Sequence, residues 1–327
     1  MKNIRSFTRS SFFTLHDLTS KLTKFISGAL ALLSLSFASC SDDFFSQTVE
    51  IDPPPYEKQL SFHLNLTDRD TSVRVLLTRN FGIIETVPNY NDYFVKGGSM
   101  ELYKDGQKWI SLAPLSVDSN FVFVGVFPGP LQTGSTYEVR AEHPDFPKAS
   151  ATQLMPGDFV ADSARVKRNS SSGPDGEKYD LVEVFFQDQP GVRNYYEVAI
   201  STLSYTTSYD PNTGLYDTIA VNEYPLYPED FTDPNVAYGF KGSGLIGDQF
   251  FDGQSYKFQA RIYAYSSTLL ILRVRNVTED YYKWSRSYQA KYDAEENPLV
   301  EPVSVFGNLL DGLGIFSVSR EKVFIVE

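Results

Sequence analysis

From Lys58 to Pro156 the chain is a train of short runs in which apolar and polar positions alternate: Leu60–Leu66, Val73–Leu77, Met100–Tyr103, Phe121–Val126 and Tyr137–Arg140. A period of two sends successive side chains to opposite faces, so these runs predict antiparallel strands. Lys104-Asp105-Gly106-Gln107 sets Asp-Gly between Leu102-Tyr103 and Trp109-Ile110, the pattern of a tight two-residue hairpin. About a hundred residues carrying six or seven such strands match an immunoglobulin-like β-sandwich, with a closed barrel of similar strand count as the alternative. The paired cysteines of antibody domains are absent.

Met155-Pro156-Gly157 interrupts the train, and a second one follows: Phe159–Val166, Tyr179–Phe186, Asn194–Ile200, Tyr256–Tyr263 and Leu269–Val274. Asn169–Gly176 reads as an exposed hairpin loop. Thr206 to Gly247 shows no sustained period, so residues 206–247 are expected to be a long irregular insertion. Segments of that length carry function or lack order, and Tyr209, Tyr216, Tyr224, Tyr227 and Tyr238 make this one the candidate binding loop. One helix is predicted near 278–292. Thr278 can cap it, Glu279 and Asp280 suit its positive end, and Tyr281, Trp284, Tyr288 and Tyr292 recur at helical spacing. Arg320–Glu327 reads as a last strand. The fold class is therefore mainly all-β: an immunoglobulin-like sandwich over 58–156, then a second antiparallel β domain over 157–327 with one α-helix.

The first 57 residues follow a different pattern. Behind Lys21 and Lys24, Phe25–Phe37 is an uncharged, largely apolar stretch of 13 residues, shorter than the ~20 residues that a membrane-spanning helix needs. It reads as the core of a signal peptide over 1–39. Ala38-Ser39 then precede Cys40, the chain's one cysteine, and a small-small-Cys sequence behind an apolar core resembles the site at which bacterial lipoproteins are cleaved and acylated, palmitate being one such chain. Ser41-Asp42-Asp43 behind it resembles the surface-export signal of Bacteroidota lipoproteins. Residues 40–57, with Pro53-Pro54-Pro55, read as an extended tether.

Charge and composition narrow the function classes. The chain has 29 Lys and Arg against 41 Asp and Glu, a formal net charge of −12. Residues 1–39 carry five cations and one anion, so their removal leaves −16. That acidity argues against nucleic acid, whose phosphates need a basic face. One Cys and three His, His16, His63 and His143, leave no disulfide framework and no Cys-rich zinc cluster. No phosphate-binding glycine loop, HExxH or EF-hand pattern occurs. Asp68 with Asp70, or Asp175, Glu177 and Asp180, could meet a calcium ion, but neither group has the ligand spacing of a known loop. No catalytic residues, metal or cofactor are assigned, and the expectation is a non-enzymatic protein.

Further sequence blocks carry a family resemblance: Phe127-Pro128-Gly129, Gly134 with Thr136-Tyr137, Asp162-Ser163, Asp188-Gln189-Pro190-Gly191 before Asn194-Tyr195-Tyr196, and Phe251-Asp252-Gly253-Gln254. To these are added Asp280-Tyr281-Tyr282, Asn297-Pro298-Leu299-Val300-Glu301-Pro302-Val303, and Asn308 with Gly312-Leu313-Gly314-Ile315-Phe316. Together with the Cys40 tether they resemble the Bacteroidota lipoprotein family known as domain of unknown function 4249. The resemblance implies an outer-membrane, cell-surface lipoprotein that accompanies a TonB-dependent transporter and captures solute, glycan or peptide. The alternatives are a surface adhesion or assembly module that binds another protein and, third, a secreted hydrolase. Phe251–Gly253 and Asn297–Phe316 are expected to build a turn and a loop against the second sheet.

Overall fold

The computed structural model describes residues 56–82, 85, 89–211, 213–264, 269–295 and 300–327. Cys40, Ser41, Asp42 and Asp43 lie outside the described residues, as do Asn297 and Pro298.

The first train folds into β1 (Leu60–Thr67), β2 (Ser72–Leu76), β3 (Thr78–Arg79), β4 (Ser99–Lys104), β5 (Gln107–Pro114), β6 (Val122–Val126), β7 (Thr136–His143) and β8 (Phe146–Leu154). At the β4–β5 turn Asp105 and Gly106 have φ of 50° and 78°, the left-handed geometry for which the Asp-Gly pair is suited. The second train gives β9 (Val160–Ser172), β10 (Lys178–Gln187), β11 (Tyr195–Asp210), β12 (Leu215–Pro225), β13 (Asp230–Phe231), β14 (Ala237–Tyr238), β15 (Gly244–Gly247), β16 (Ser255–Tyr263) and β17 (Leu270–Val277). The helix α1 (Glu279–Glu295) and β18 (Gly312–Val326) complete the chain.

Three sheets result. Six strands order as β2–β6–β5–β4–β7–β8, four as β13–β16–β10–β9, and eight as β14–β15–β11–β17–β18–β1–β3 with β12 added on β11. The break at Met155–Gly157 falls between β8 of the six-stranded sheet and β9 of the four-stranded one, while the eight-stranded sheet draws strands from both sides of it. The first strand and the last pair in parallel, from Leu60 opposite Gly312 to Thr67 opposite Ser319, while β17 holds the other edge of β18.

Strand alternation explains how one sheet serves both cores. Leu60, Phe62, Leu64 and Leu66 of β1, with Phe316 and Val318 of β18, face the six-stranded sheet and close the first core around Met100, Leu102 and Tyr137. Farther along β18, Phe324 and Val326 pack with Leu272 and Val274 of β17 and Tyr196 and Val198 of β11 against Val182, Val184 and Phe258 of the four-stranded sheet. The immunoglobulin-like sandwich is thus completed by a strand from the far end of the chain.

Three expectations change. Residues 206–247 are not an irregular insertion: β11 continues to Asp210, β12 returns alongside it, and β13, β14 and β15 follow. The Tyr, Thr and Val content favours strands, but Ser204–Tyr209 are all exposed, so no apolar alternation marks them. Gly312–Phe316 is not a loop against the second sheet but the start of β18, placed in the first core. The hairpin loop predicted at 169–176 shortens, because β9 runs to Ser172.

The helix begins where its cap predicts, Tyr281 N–H donating to Thr278 Oγ1 at 3.4 Å. Tyr281 and Trp284 pack on Leu245, Val277 and Ile315 with Tyr288 alongside, whereas Tyr292 is exposed. Among the described residues no helix is long and apolar enough to cross a membrane.

Candidate functional site

The face of the eight-stranded sheet that looks away from the cores carries the remaining side chains of each strand. On half of it, His63, Ile315, Val277 and Tyr195 lie under or beside α1: His63 meets the Trp284 ring edge-on at 5.6 Å, and Tyr195 meets Tyr282 at 4.8 Å. The other half is left open by the helix and forms a cleft of about 460 Å³.

An ion ladder floors the cleft, because Glu197 is opposite Arg275 and Arg275 is opposite Glu321 in the strand register. Arg275 donates from Nη1 to Glu197 and from Nε to Glu321, both at 2.8 Å. Arg273 donates to Glu321 at 3.1 Å and, with Nε and Nη2, to both oxygens of Glu223 at 3.1 and 2.7 Å. Glu197 also accepts from Ser243 and from the Tyr281 hydroxyl at 2.7 and 2.8 Å, which ties the ladder to the helix. Deep burial of Glu197 and Glu321 is tolerable because each is opposed by a guanidinium and fully hydrogen-bonded.

The Arg273 hydrogen bonds hold the Glu223 carboxyl below its ordinary value near 4.5, against the effect of burial. A depressed carboxylate contributes stability above its unfolded pKa and loses it as pH falls through the folded one. Replacing Glu223 by Gln is therefore expected to cost less than ~1 kcal/mol of stability at pH 7, seen as a slightly lower melting temperature, because the pair is about a third exposed. Melting curves at successive pH values check it: the gap to wild type should close below about pH 4.5, the ordinary carboxylate value.

Beyond Thr202 the body of the sheet ends: the β17 partner of β11 stops at Leu270, while β12 continues to Asp210 opposite Leu215. A two-stranded ribbon therefore projects from the edge of the cleft. Alternation carries the cleft face out onto it, Glu197, Ala199 and Ser201 being followed by Leu203, Tyr205, Thr207 and Tyr209. Their cross-strand neighbours are Glu223, Val221, Thr218 and Tyr216. The Tyr209 and Tyr216 rings meet at 5.2 Å, both more than half exposed. The opposite face carries small polar groups, Ser204, Thr206 and Ser208.

The five candidate tyrosines are thus divided. Tyr209 and Tyr216 form the tip pair, and Tyr224, opposite Thr202, is on the reverse face. Tyr227 rests against Gly242. Tyr238 donates to the Glu229 carbonyl at 2.9 Å and packs its ring on Phe231. The ladder residues were missed in the sequence, although Arg273 and Arg275, two apart in an otherwise apolar strand, were the signal.

Of the carboxylates considered for calcium, Asp68, Asp70 and Asp180 are engaged elsewhere. Asp68 pairs with Arg320 and accepts from Glu321 N–H, Asp70 caps Thr67 N–H, and Asp180 accepts from Arg168 and Asn169 N–H. Among the described residues Asp188, Asp248 and Asp252 bring carboxylate oxygens within 4.8 Å of one another. They are engaged within the protein instead: Asp188 accepts from the Tyr196 hydroxyl and from Gly253 N–H, Asp248 from Asn194 N–H and the Arg193 guanidinium, and Asp252 from Gly191 N–H. These bonds stitch the Asp188–Gly191 and Asp252–Gly253 blocks together. Burial holds the Asp248 carboxyl above its ordinary value. His143 bonds to Lys96 O and Asp145 N–H.

Fold and cleft define a mainly antiparallel β protein of two sandwiched cores under one shared sheet, with an ion-laddered outer face. The chain belongs to the family described as Domain of unknown function (DUF4249), whose model matches residues 46–324. No curated protein matches its sequence. Among solved structures it is similar to the alpha-2-macroglobulin of E. coli, at 13% identity and TM-score 0.23 over 85% of this chain and 15% of that one. A putative membrane anchored protein from Corynebacterium diphtheriae gives 10% and 0.19, over 71% and 56%. The beta-glucuronidase of Parabacteroides merdae gives 13% and 0.20, over 67% and 23%. The chain spans under a quarter of the macroglobulin and glucuronidase chains.

Proposed function

We propose that this is a non-enzymatic lipoprotein, anchored to the outer membrane through Cys40 and routed to the cell surface by Ser41, Asp42 and Asp43, which captures solute for a TonB-dependent transporter. The observation that supports it best is the exposed ribbon, whose aromatic face continues the floor of the cleft. Isolated two-stranded ribbons are marginal in water, so one that exposes large tyrosines is explained by a ligand or partner that covers them. Rigid aromatics on such a surface gain contact area at small entropic cost. A lipid tether raises the local concentration of the captured solute at the transporter mouth. In the cleft each glutamate is tied to an arginine, an arrangement suited to holding charge in place rather than to moving a proton.

The test is a pull-down of the tagged full-length protein from detergent-solubilised outer membrane. A stoichiometric barrel partner is expected, and replacement of Ser204–Asn222 by a short Gly-Ser link should abolish its retention while leaving the circular dichroism of the remaining strands intact. Binding to protein arrays without a barrel partner would favour adhesion instead. Cys40→Ala should release the protein from membranes. Asp42→Ala with Asp43→Ala should keep it membrane-bound but shielded from protease added to intact cells; wild-type protein that is already shielded would refute the surface assignment.

A further inference from the structure

We infer that the outer face of the sheet takes an uncharged, hydroxyl-rich chain, a neutral oligosaccharide, laid along β11 from the ion ladder to the Tyr209–Tyr216 pair. This rests on the capture reading above and narrows its ligand. Three observations lead to it.

The first is that the ladder charges on the cleft floor already answer one another, Asp70 and Lys241 being the lining charges outside the ladder. Glu197, Glu223 and Glu321 accept from Arg273 and Arg275, so a charged ligand would have to break a buried pair to gain one. Hydrogen-bonding capacity is nevertheless left over. An arginine has five N–H donors; the bonds among the described residues engage three of Arg273's and two of Arg275's. Hydroxyls of Ser201, Ser317 and Ser319 line the same floor and, each already donating within the protein, are left to accept. Paired planar guanidinium and carboxylate groups with spare donors and lone pairs suit neutral hydroxyls, which both donate and accept.

The second is length. From Ser201 to Tyr209 at ~3.4 Å per residue the face extends roughly 27 Å beyond the cleft, which fits a chain and not a single small molecule. The third is that the aromatic side chains lie on the ribbon's face, although beyond Thr202 the ribbon's two strands also leave their outer edges unpaired among the described residues. Backbone N–H and C=O groups lie in the plane of the sheet and point at neighbouring strands, so an extended peptide gains its main-chain bonds at an edge. A ligand lying on the face meets side chains alone: flat rings at Tyr205, Tyr209 and Tyr216, polar groups at Thr207 and Thr218. A sugar ring offers the matching pair of surfaces, an apolar C–H face for the aromatic platform and a rim of hydroxyls.

Detergent-solubilised full-length protein would be titrated calorimetrically with neutral glucan, mannan and xylan oligosaccharides long enough to span cleft and ribbon. Comparison ligands are their monosaccharides, a uronate oligomer of equal length and a capped uncharged peptide. At least one neutral oligosaccharide should bind, about tenfold or more tightly than its monosaccharide and its uronate counterpart, with little change between low and high salt. Tyr209→Ala with Tyr216→Ala should weaken it about tenfold or more, while Tyr209→Phe with Tyr216→Phe retains most of it; circular dichroism confirms that both variants stay folded. Binding of the peptide or the uronate alone, a steep salt dependence, or no neutral oligosaccharide bound would overturn the inference. If no oligosaccharide binds yet the barrel partner co-purifies, the ligand class fails and the transporter reading stands. If a neutral oligosaccharide binds and no barrel partner co-purifies, the reverse holds.

Discussion

Gly314→Val is expected to leave little or no folded protein. Gly314 has φ of +119°, a region that β-branched residues do not occupy without strain. A Cβ there would overlap Phe62 O and lie 2.9 Å from His63 Cδ2, so β1 would have to move off β18. Those strands form the parallel pair that joins the chain's ends, and β18 contributes to both cores. The loss is therefore not local: roughly 4 kcal/mol or more, within the range of a domain's whole stability. Gly106→Ala is the control. It too has positive φ, at 78°, but nothing lies within 4 Å of an added Cβ, so only ~1–2 kcal/mol of backbone strain is expected. Soluble yield and thermal melting of the two variants check the difference; a Gly314→Val protein that melts like wild type would mean that the β1–β18 pairing is dispensable.

Arg275→Met should be the most damaging change within the cleft. It leaves Glu197, 1% exposed, without the guanidinium that faces it, and Glu321, 5% exposed, with Arg273 alone; breaking one side of a buried ion pair costs about 3–5 kcal/mol. One further result would show that stranded charge is the cause and not lost packing. Adding Glu197→Gln to Arg275→Met should recover part of the loss in urea unfolding, because an amide is far less costly to bury than a carboxylate. No recovery in the double variant would point to packing. Because Glu197 also accepts from Tyr281, the variant should loosen α1, read as faster hydrogen exchange in the helix.

Both expectations rest on relations that no short stretch of sequence contains. The six-stranded sheet was legible in its alternation, and the β4–β5 hairpin in Asp105-Gly106, because turn chemistry and period act over a few residues. The helix was legible in Thr278, in the acidic first turn, and in the aromatic stripe that packs Tyr281 and Trp284 on the sheet. Family membership was legible in short fixed blocks, among them Asp188–Gly191 and Phe251–Gln254. Those blocks meet in the fold because their aspartates cap one another's backbone across 60 or so residues.

The ribbon escaped because an exposed strand need not alternate: nothing apolar has to be hidden on either face, so Ser204–Tyr209 carries no period to detect. The ladder escaped for a different reason. Glu197, Arg273, Arg275 and Glu321 belong to three strands, and a glutamate alone in β11 reads as an ordinary solvent-facing residue until β17 and β18 are laid beside it. Gly312–Phe316 was misplaced because its glycines read as turn residues, although they are there to let β1 approach. Local propensity and periodicity thus determined which segments became strands and helix. Which strands became neighbours, above all the first with the last, was decided only in the tertiary structure, because burial rewards a complementary pair of faces whatever the distance between them along the chain.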